Sequence, residues 1–204
     1  MNRFFPDLNN VNMSNLKIDD IGEYSITKPD EADLITEIIL KETLDNSNIL
    51  DAMAGSGGNT ISFCGKFDKV SAVECDISRF NILKNNINEY NFSNCSLYYN
   101  DCLNIIDLNK FNIIFFDPPW GGKNYLKQNK VELSISGFKI WMIIKYILCE
   151  NKNCSIFIKI PSNFDLVKLK SELLYFKNIK IYKFEIGKFL LLKINLEFNE
   201  TNNK

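Results

Sequence analysis

The sequence predicts an α/β protein: a mostly parallel sheet with helices on both faces, closed by an antiparallel hairpin. Three observations carry this reading. From residue 30 onward, short strand-like runs alternate with segments of helical periodicity, the order that builds parallel sheets through crossover helices. Ile113-Ile114-Phe115-Phe116 is apolar at every position, as suits a strand buried on both faces. Two apolar runs, 179–186 and 189–198, flank Gly187-Lys188, a hairpin signal.

The elements follow in order. Residues 1–23 are polar and Asn-rich, with an aromatic pair at Phe4-Phe5. Asp30 opens a helix with Pro29 as its boundary, and Leu34, Ile35, Ile38 and Ile39 form its apolar stripe. Residues 49–52 make the first strand and 70–74 the second. A helix over 77–90 follows, with Ile77, Phe80, Ile82, Leu83, Ile87 and Tyr90 facing inward. Residues 97–99 give the third strand and 111–116 the fourth. An apolar helix spans 138–148, a fifth strand 155–160 and a further helix 164–176, before the closing hairpin.

The 204 residues fit one domain with a sizeable core. Hydrophobic residues make up 46% and charged residues 24%, an ordinary globular balance. The net charge of -1 supplies no long basic surface for nucleic acid, so any RNA specificity sits in a local pocket. No apolar run reaches the length of a membrane span, and the N-terminus lacks the apolar core of a signal peptide. The six cysteines form no CxxC pair and there is no histidine, which argues against a zinc site and removes the usual general base. A soluble, intracellular, reducing setting, no metal and a monomer are the expectations.

The first strand runs into Asp51-Ala52-Met53-Ala54-Gly55-Ser56-Gly57-Gly58-Asn59-Thr60. Glycines there let backbone approach a ligand, and the next helix offers free N–H groups. Gly55 and Gly57 fit a dinucleotide loop, but Thr60 stands where the third glycine belongs. That disfavours NAD. Asp51 before the glycines suits S-adenosyl-L-methionine, whose ammonium it can contact. Glu74, ending the second strand, can accept both ribose hydroxyls, with Asp76 as the nearby alternative. Asp101, after the third strand, can accept an adenine amine.

Asp117-Pro118-Pro119-Trp120 follows the fourth strand and is the most specific feature. Two prolines remove two donors and hold the turn extended. What remains is a row of acceptors, the Asp117 carboxylate and the Pro118 carbonyl. An exocyclic NH₂ has two donors to satisfy them, which fixes the nitrogen and aims its lone pair. Trp120 offers a face for base stacking, stronger for a cationic base.

On these motifs the chain resembles the trimethylguanosine synthases, which methylate the N2 amine of a 7-methylguanosine cap. The family pattern D-A-F-x-G-x-G-G-N-T is close to residues 51–60, and S/D-P-P-W-G-G-x-x-Y to Asp117-Pro118-Pro119-Trp120-Gly121-Gly122-Lys123-Asn124-Tyr125. The family's F-S-V-T-P-E looks like Tyr24-Ser25-Ile26-Thr27-Lys28-Pro29-Asp30 with one residue inserted. Its D-G-F-x-I matches Ser136-Gly137-Phe138-Lys139-Ile140 in part. The similarity spans roughly residues 17–198.

The resemblance implies a Rossmann-like class I S-adenosyl-L-methionine-dependent methyltransferase with a seven-stranded sheet. Residues 30–204 would form the methyltransferase domain, and 1–29 an extension helping to close the cap and cofactor sites. Thr27, Asp51, Ala52, Gly55, Gly57, Asn59, Glu74, Asp101, Cys102 and Asp117 would line the cofactor site. Asp117, Pro118 and Trp120 would be catalytic. Ser25, Pro119, Trp120, Lys123, Tyr125 and Asn163 would bind the substrate, 7-methylguanosine-capped RNA. N7 methylation gives the base the positive charge that Trp120 would favour.

The chain departs from the family in three places. Some members carry Ser where Asp117 stands. Ser162 follows Pro161 where the family often has a phosphate-contacting Arg; Lys123 would substitute, or be a solvated lysine. The start Arg3-Phe4-Phe5 is a short version of the family's aromatic-basic segment. Asp-Pro-Pro-Trp alone is shared with N6-adenine-type amino methyltransferases of RNA or DNA, the second reading; a non-catalytic cap-binding module is the third.

Overall fold

The computed structural model describes residues 4–8, 11–105 and 110–198. Its centre is a seven-stranded sheet of β1 (Asn48–Asp51), β2 (Lys69–Glu74), β3 (Cys95–Tyr99), β4 (Ile113–Phe116), β7 (Ser155–Pro161), β8 (Ile179–Ile186) and β9 (Phe189–Leu196). The order is β3-β2-β1-β4-β7-β9-β8. Neighbours from β3 to β7 are parallel, and β9 lies antiparallel between β7 and β8. Strand order reverses between β1 and β4, and ligands of open α/β sheets bind beyond the carboxyl ends at such a point.

Successive strand residues point to opposite faces and so feed two cores. Leu50, Ile114, Phe116, Ile156 and Ile158 pack with α6 (Ile140–Glu150) and α7 (Leu166–Leu173). Ile49, Ile113, Phe115 and Phe157 pack with α2 (Pro29–Thr43), α3 (Gly58–Cys64) and α4 (Ile77–Glu89). Doubly apolar strands are therefore what this sheet needs.

Several element boundaries differ from the sequence expectation. Pro29 is the first residue of α2, where its missing N–H costs nothing, and Lys28 rather than a later residue caps the helix. Ile35 and Ile39 are buried, whereas Leu34 is exposed. Asp76 caps α4 by accepting from the Arg79 N–H at 2.9 Å. Ile77 faces solvent; the buried face of α4 is Leu83, Asn86 and Ile87. The helix expected from 138 begins at Ile140. Phe138–Lys139 instead forms β6, paired with β5 (Ser134–Ile135), because Ser136 and Gly137 both take positive φ (49° and 84°) and make a tight hairpin turn.

The polar N-terminal segment is more integrated than its composition implies. Phe4, Phe5 and Leu16 belong to the core on the α2–α4 face, and Phe5 is only 1% exposed. The Tyr90 hydroxyl donates to the Pro6 carbonyl. Asn86, fully buried in α4, acts as a piece of backbone: it accepts from the Lys17 N–H at 2.8 Å, and donates to the Lys17 carbonyl at 2.8 Å and the Ser56 carbonyl at 3.0 Å. Segment 13–25 adds a 3-10 turn at Met13–Asn15 and the short helix α1 (Asp20–Ser25), capped by Asp19. Arg3 lies outside the described residues.

Phe5→Ala is expected to cost about 3–5 kcal/mol in urea denaturation, as for a core phenylalanine. A loss below about 1 kcal/mol would show that the segment is only loosely attached.

Candidate active site

β1 ends at Asp51, which is 1% exposed. Its Oδ2 accepts from the Thr60 hydroxyl at 2.6 Å and its Oδ1 from the Met53 N–H at 3.4 Å. Burial pushes this carboxyl up to about 7, with the charges of Asp117 and Glu74 adding and the two hydrogen bonds opposing. Thr60, the residue that breaks the dinucleotide pattern, is therefore the donor that holds Asp51. Ala52 and Ala54 lie beneath the loop and tie it to β4 and β2 through Ala52 N–H to the Phe115 carbonyl (2.9 Å) and Ala54 N–H to the Val73 carbonyl (2.8 Å).

The loop turns at Gly55 and Gly57, with φ of 55° and 100°. Glu74 at the end of β2 accepts from the Gly55 N–H at 2.9 Å on one oxygen and from the Asp76 N–H at 2.8 Å on the other. Beyond β3, Asp101 accepts from the Leu103 N–H at 2.9 Å and from the Ser136 hydroxyl at the β5–β6 turn. Cys102, first residue of α5 (Cys102–Ile105), is buried, and burial raises its thiol to about 12 with the charge of Asp101 adding.

Gly58 has no room for a side chain. A Cβ there would sit 2.7 Å from Ile26 Cγ1 and 2.8 Å from the Thr27 carbonyl, so this glycine lets the N-terminal segment lie against the loop. Asn59 then donates to the Thr27 hydroxyl at 3.0 Å.

β4 and β7 pair with Phe116 opposite Ile158, so the next residues, Asp117 and Lys159, come side by side. Lys159 Nζ lies 2.9 Å from Asp117 Oδ2 and 2.8 Å from the Thr27 hydroxyl oxygen. Thr27 donates to the same Asp117 oxygen at 3.4 Å, and Asn59 Nδ2 approaches it at 3.5 Å. Thr27, Asn59 and Lys159 are 3%, 7% and 4% exposed, so the ion pair is screened little by water. All these bonds fall on Oδ2; among the described residues none is recorded to Oδ1.

Pro118 is buried, Pro119 exposed and Trp120 half-buried. Gly121 and Gly122 turn the chain into a 3-10 stretch, Gly122–Lys127, that brings Tyr125 edge-on to Trp120 at 5.2 Å and 80°. Asn163 holds this stretch by donating to the Tyr125 and Gln128 carbonyls at 2.9 and 2.8 Å. Lys159 Nζ lies 5.5 Å from the Trp120 ring centre and 4.9 Å from that of Phe189. Ser25 is exposed at the end of α1 with its hydroxyl donating to the Ile21 carbonyl at 2.8 Å. The side chain of Lys123 lies outside the described residues. Among the described residues, Ser56 Oγ, Asn59 Oδ1 and Trp120 Nε1 are buried polar atoms with no protein partner.

A family model described as RNA cap guanine-N2 methyltransferase matches residues 46–194. The chain belongs to this family. Among its relatives, an uncharacterized protein of Acanthamoeba polyphaga mimivirus is 28% identical over 93% of this chain and 83% of its own length. The trimethylguanosine synthase of Schizosaccharomyces pombe is 30% identical over 50% of this chain, and that of Saccharomyces cerevisiae 28% over 72%. The chain spans about half the length of these two synthases, 45% and 48% respectively. In fold it is similar to the 16S rRNA N2 methyltransferase of T. thermophilus, solved with AdoMet and guanosine (TM-score 0.62, 15% identity, 91% of this chain and 45% of that one). It is also similar to a putative methyltransferase of Streptococcus mutans solved with SAH (TM-score 0.53, 20% identity, 84% of this chain and 99% of that one). The sheet is that of class I methyltransferases.

The structure thus gathers Thr27, Asp51, Gly55, Asn59, Glu74, Asp117 and Trp120 near the carboxyl ends of β1, β2 and β4. Asp101 and Cys102 follow β3, while Asn163 holds the turn that carries Tyr125. Sequence reasoning missed Lys159, Thr60 and Asn86. Lys159 had a signal: it is the charge inside the otherwise apolar run Ile156-Phe157-Ile158-Lys159-Ile160. Among the described residues no helix is long and apolar enough to cross a membrane, and no group of three or more His, Cys, Asp or Glu is placed to hold a metal ion.

Because the Asp51 carboxyl lies above its ordinary 3.8 in the folded state, the fold binds its proton more tightly than the unfolded chain does. Its contribution is then full below the ordinary value and lost as pH rises toward about 7. Asp51→Asn escapes that loss. Its melting temperature should gain on the wild type between about pH 5 and about pH 8; a constant gap would contradict the buried, proton-holding Asp51.

Proposed function

We propose that this chain transfers methyl groups from S-adenosyl-L-methionine to the N2 amine of a 7-methylguanosine RNA cap, giving 2,7-dimethyl or 2,2,7-trimethylguanosine. The single observation that carries this reading is Asp117. One of its oxygens is held by Lys159, Thr27 and Asn59, and the other accepts no hydrogen bond among the described residues, at the head of the Pro118-Pro119-Trp120 turn. A planar amine with two N–H donors has two acceptors there, Asp117 Oδ1 and the Pro118 carbonyl.

The loop suits the methyl donor. A Cβ at Gly55 would meet nothing within 4 Å, and Ser56 Oγ and Asn59 Oδ1 are buried polar atoms with no partner. Asp51 would meet the ammonium, Glu74 the ribose hydroxyls, and Asp101 with Cys102 the adenine; Thr27, Ala52, Gly57 and Asn59 would shape the rest. The donor supplies an electrophilic methyl when bound.

The chain's own groups then do the positioning. Asp117 and Pro118 hold N2 with its lone pair turned to the methyl, and the Asp117 charge stabilises the positive charge that develops on nitrogen. A surplus proton leaves after transfer, so no histidine is needed. Trp120 stacks on the base, and the positive charge of a 7-methylated ring strengthens that contact. Pro119 and Tyr125 border the base, Lys123 would reach the cap phosphates, and Ser25 with the rest of residues 1–29 would close the entrance.

The test uses methyl-labelled S-adenosyl-L-methionine with a 7-methylated cap dinucleotide and its unmethylated twin. Label should appear on N2 of the 7-methylated cap alone, and product mass gives the number of methyls. Trp120→Ala should raise KM for the cap about ten- to a hundred-fold, with donor affinity retained. Label on neither cap, with the donor bound, would overturn the reading and direct the search to adenine amines.

A further inference from the structure

Asp51, Glu74 and Asp117 stand at the carboxyl ends of the adjacent strands β1, β2 and β4, with the charges of Asp117 and Glu74 felt at Asp51. Against one of them the fold sets a buried ammonium. Lys159 stands in an apolar strand, 4% exposed, with Nζ on Asp117 Oδ2 and on the Thr27 hydroxyl. A lone ammonium at this depth is costly, and its place is defined by a partner with matched geometry.

We propose that Lys159 is a positioning residue for methyl transfer: by pairing with Asp117 Oδ2 it keeps this carboxylate charged and turned so that Oδ1 faces the target amine. The inference rests on the N2 reading above. Three features support it. The pairing is built into the β4–β7 register, because Asp117 and Lys159 follow the Phe116–Ile158 pair directly. The Thr27 hydroxyl is saturated, accepting from Asn59 and Lys159 and donating to Asp117, so it fixes both members of the pair. The hydrogen bonds that reach Asp117 all fall on one oxygen, which leaves a single direction for the substrate's N–H.

The pair also sets the charge seen by the base. Lys159 Nζ lies 5.5 Å from the Trp120 ring centre, close enough to oppose a cationic base on that ring. Asp117 cancels that opposition. A neutral pair therefore lets Trp120 accept a positively charged purine, while Asp117 retains an oxygen for its amine.

Lys159→Met removes the cation and leaves Asp117 with only Thr27 and Asn59 as neutral donors. Two readouts are expected. Turnover near neutral pH should fall about a hundred-fold with KM for the 7-methylated cap little changed, and should recover partly as pH rises. Combining Lys159→Met with Asp117→Asn should lose less than the product of the two single losses, since a neutral amide needs no counter-ion. If Lys159→Met lacks a cooperative melt, Lys159→Gln, which keeps a donor for Thr27 without the charge, is read in the same way.

Unchanged, pH-independent turnover in Lys159→Met would overturn the proposal. Losses that simply multiply would do so as well. The outcomes separate from failure of the N2 reading: full turnover in Asp117→Ala would sink that reading itself. Inactive Asp117→Ala beside a fully active Lys159→Met would sink the role of Lys159 alone.

Discussion

The site depends on one ion pair, the half-buried Asp117 with the buried Lys159. Its position follows from the sheet: β4 and β7 are parallel neighbours, and their shared register delivers a carboxylate and an ammonium to the same level at the strand ends. Removing the carboxylate would leave the buried ammonium without its charged partner, which is costly. Thr27 and Asn59 bind the same Asp117 oxygen, so the N-terminal segment, α3 and two strands are all referenced to one atom.

That reference atom explains why the N-terminal segment is a structural part of the site. Gly58 admits Ile26 and Thr27 against the cofactor loop, and a Cβ on Gly22 would lie 2.9 Å from Ser56 Oγ on the same loop. Asn86 bonds the segment at Lys17 and the loop at Ser56 with one amide. Phe4 and Phe5 anchor the beginning of the segment in the core. Loop and segment therefore share their hydrogen bonds, and loosening either one disturbs the neighbourhood of Asp117.

Much of this was legible in the sequence. The alternation of strands and helices, the apolar strands and the Gly187 hairpin are local patterns, and all reappear in the sheet. Asp51, Glu74 and Asp117 were legible because each ends a strand, where a carboxylate has little structural reason to be. The errors have local causes too. Phe138 looks helical by apolar spacing, but positive φ at Ser136 and Gly137 makes a hairpin first. Lys159, Thr60 and Asn86 were not found because their partners, Asp117, Asp51 and Lys17, are distant in sequence or masked by motif expectations; only the packed fold brings them together. Thr60 in particular read as a missing glycine when its hydroxyl is what holds Asp51.

The most direct measurement is a structure of the protein with S-adenosylhomocysteine and a 7-methylated cap dinucleotide bound together. The purine is expected stacked on Trp120, with N2 within hydrogen-bond distance of Asp117 Oδ1 and the Pro118 carbonyl and the Lys159–Asp117 pair intact. A base bound elsewhere, or N2 turned away from Asp117 with Oδ1 unused, would contradict that expectation.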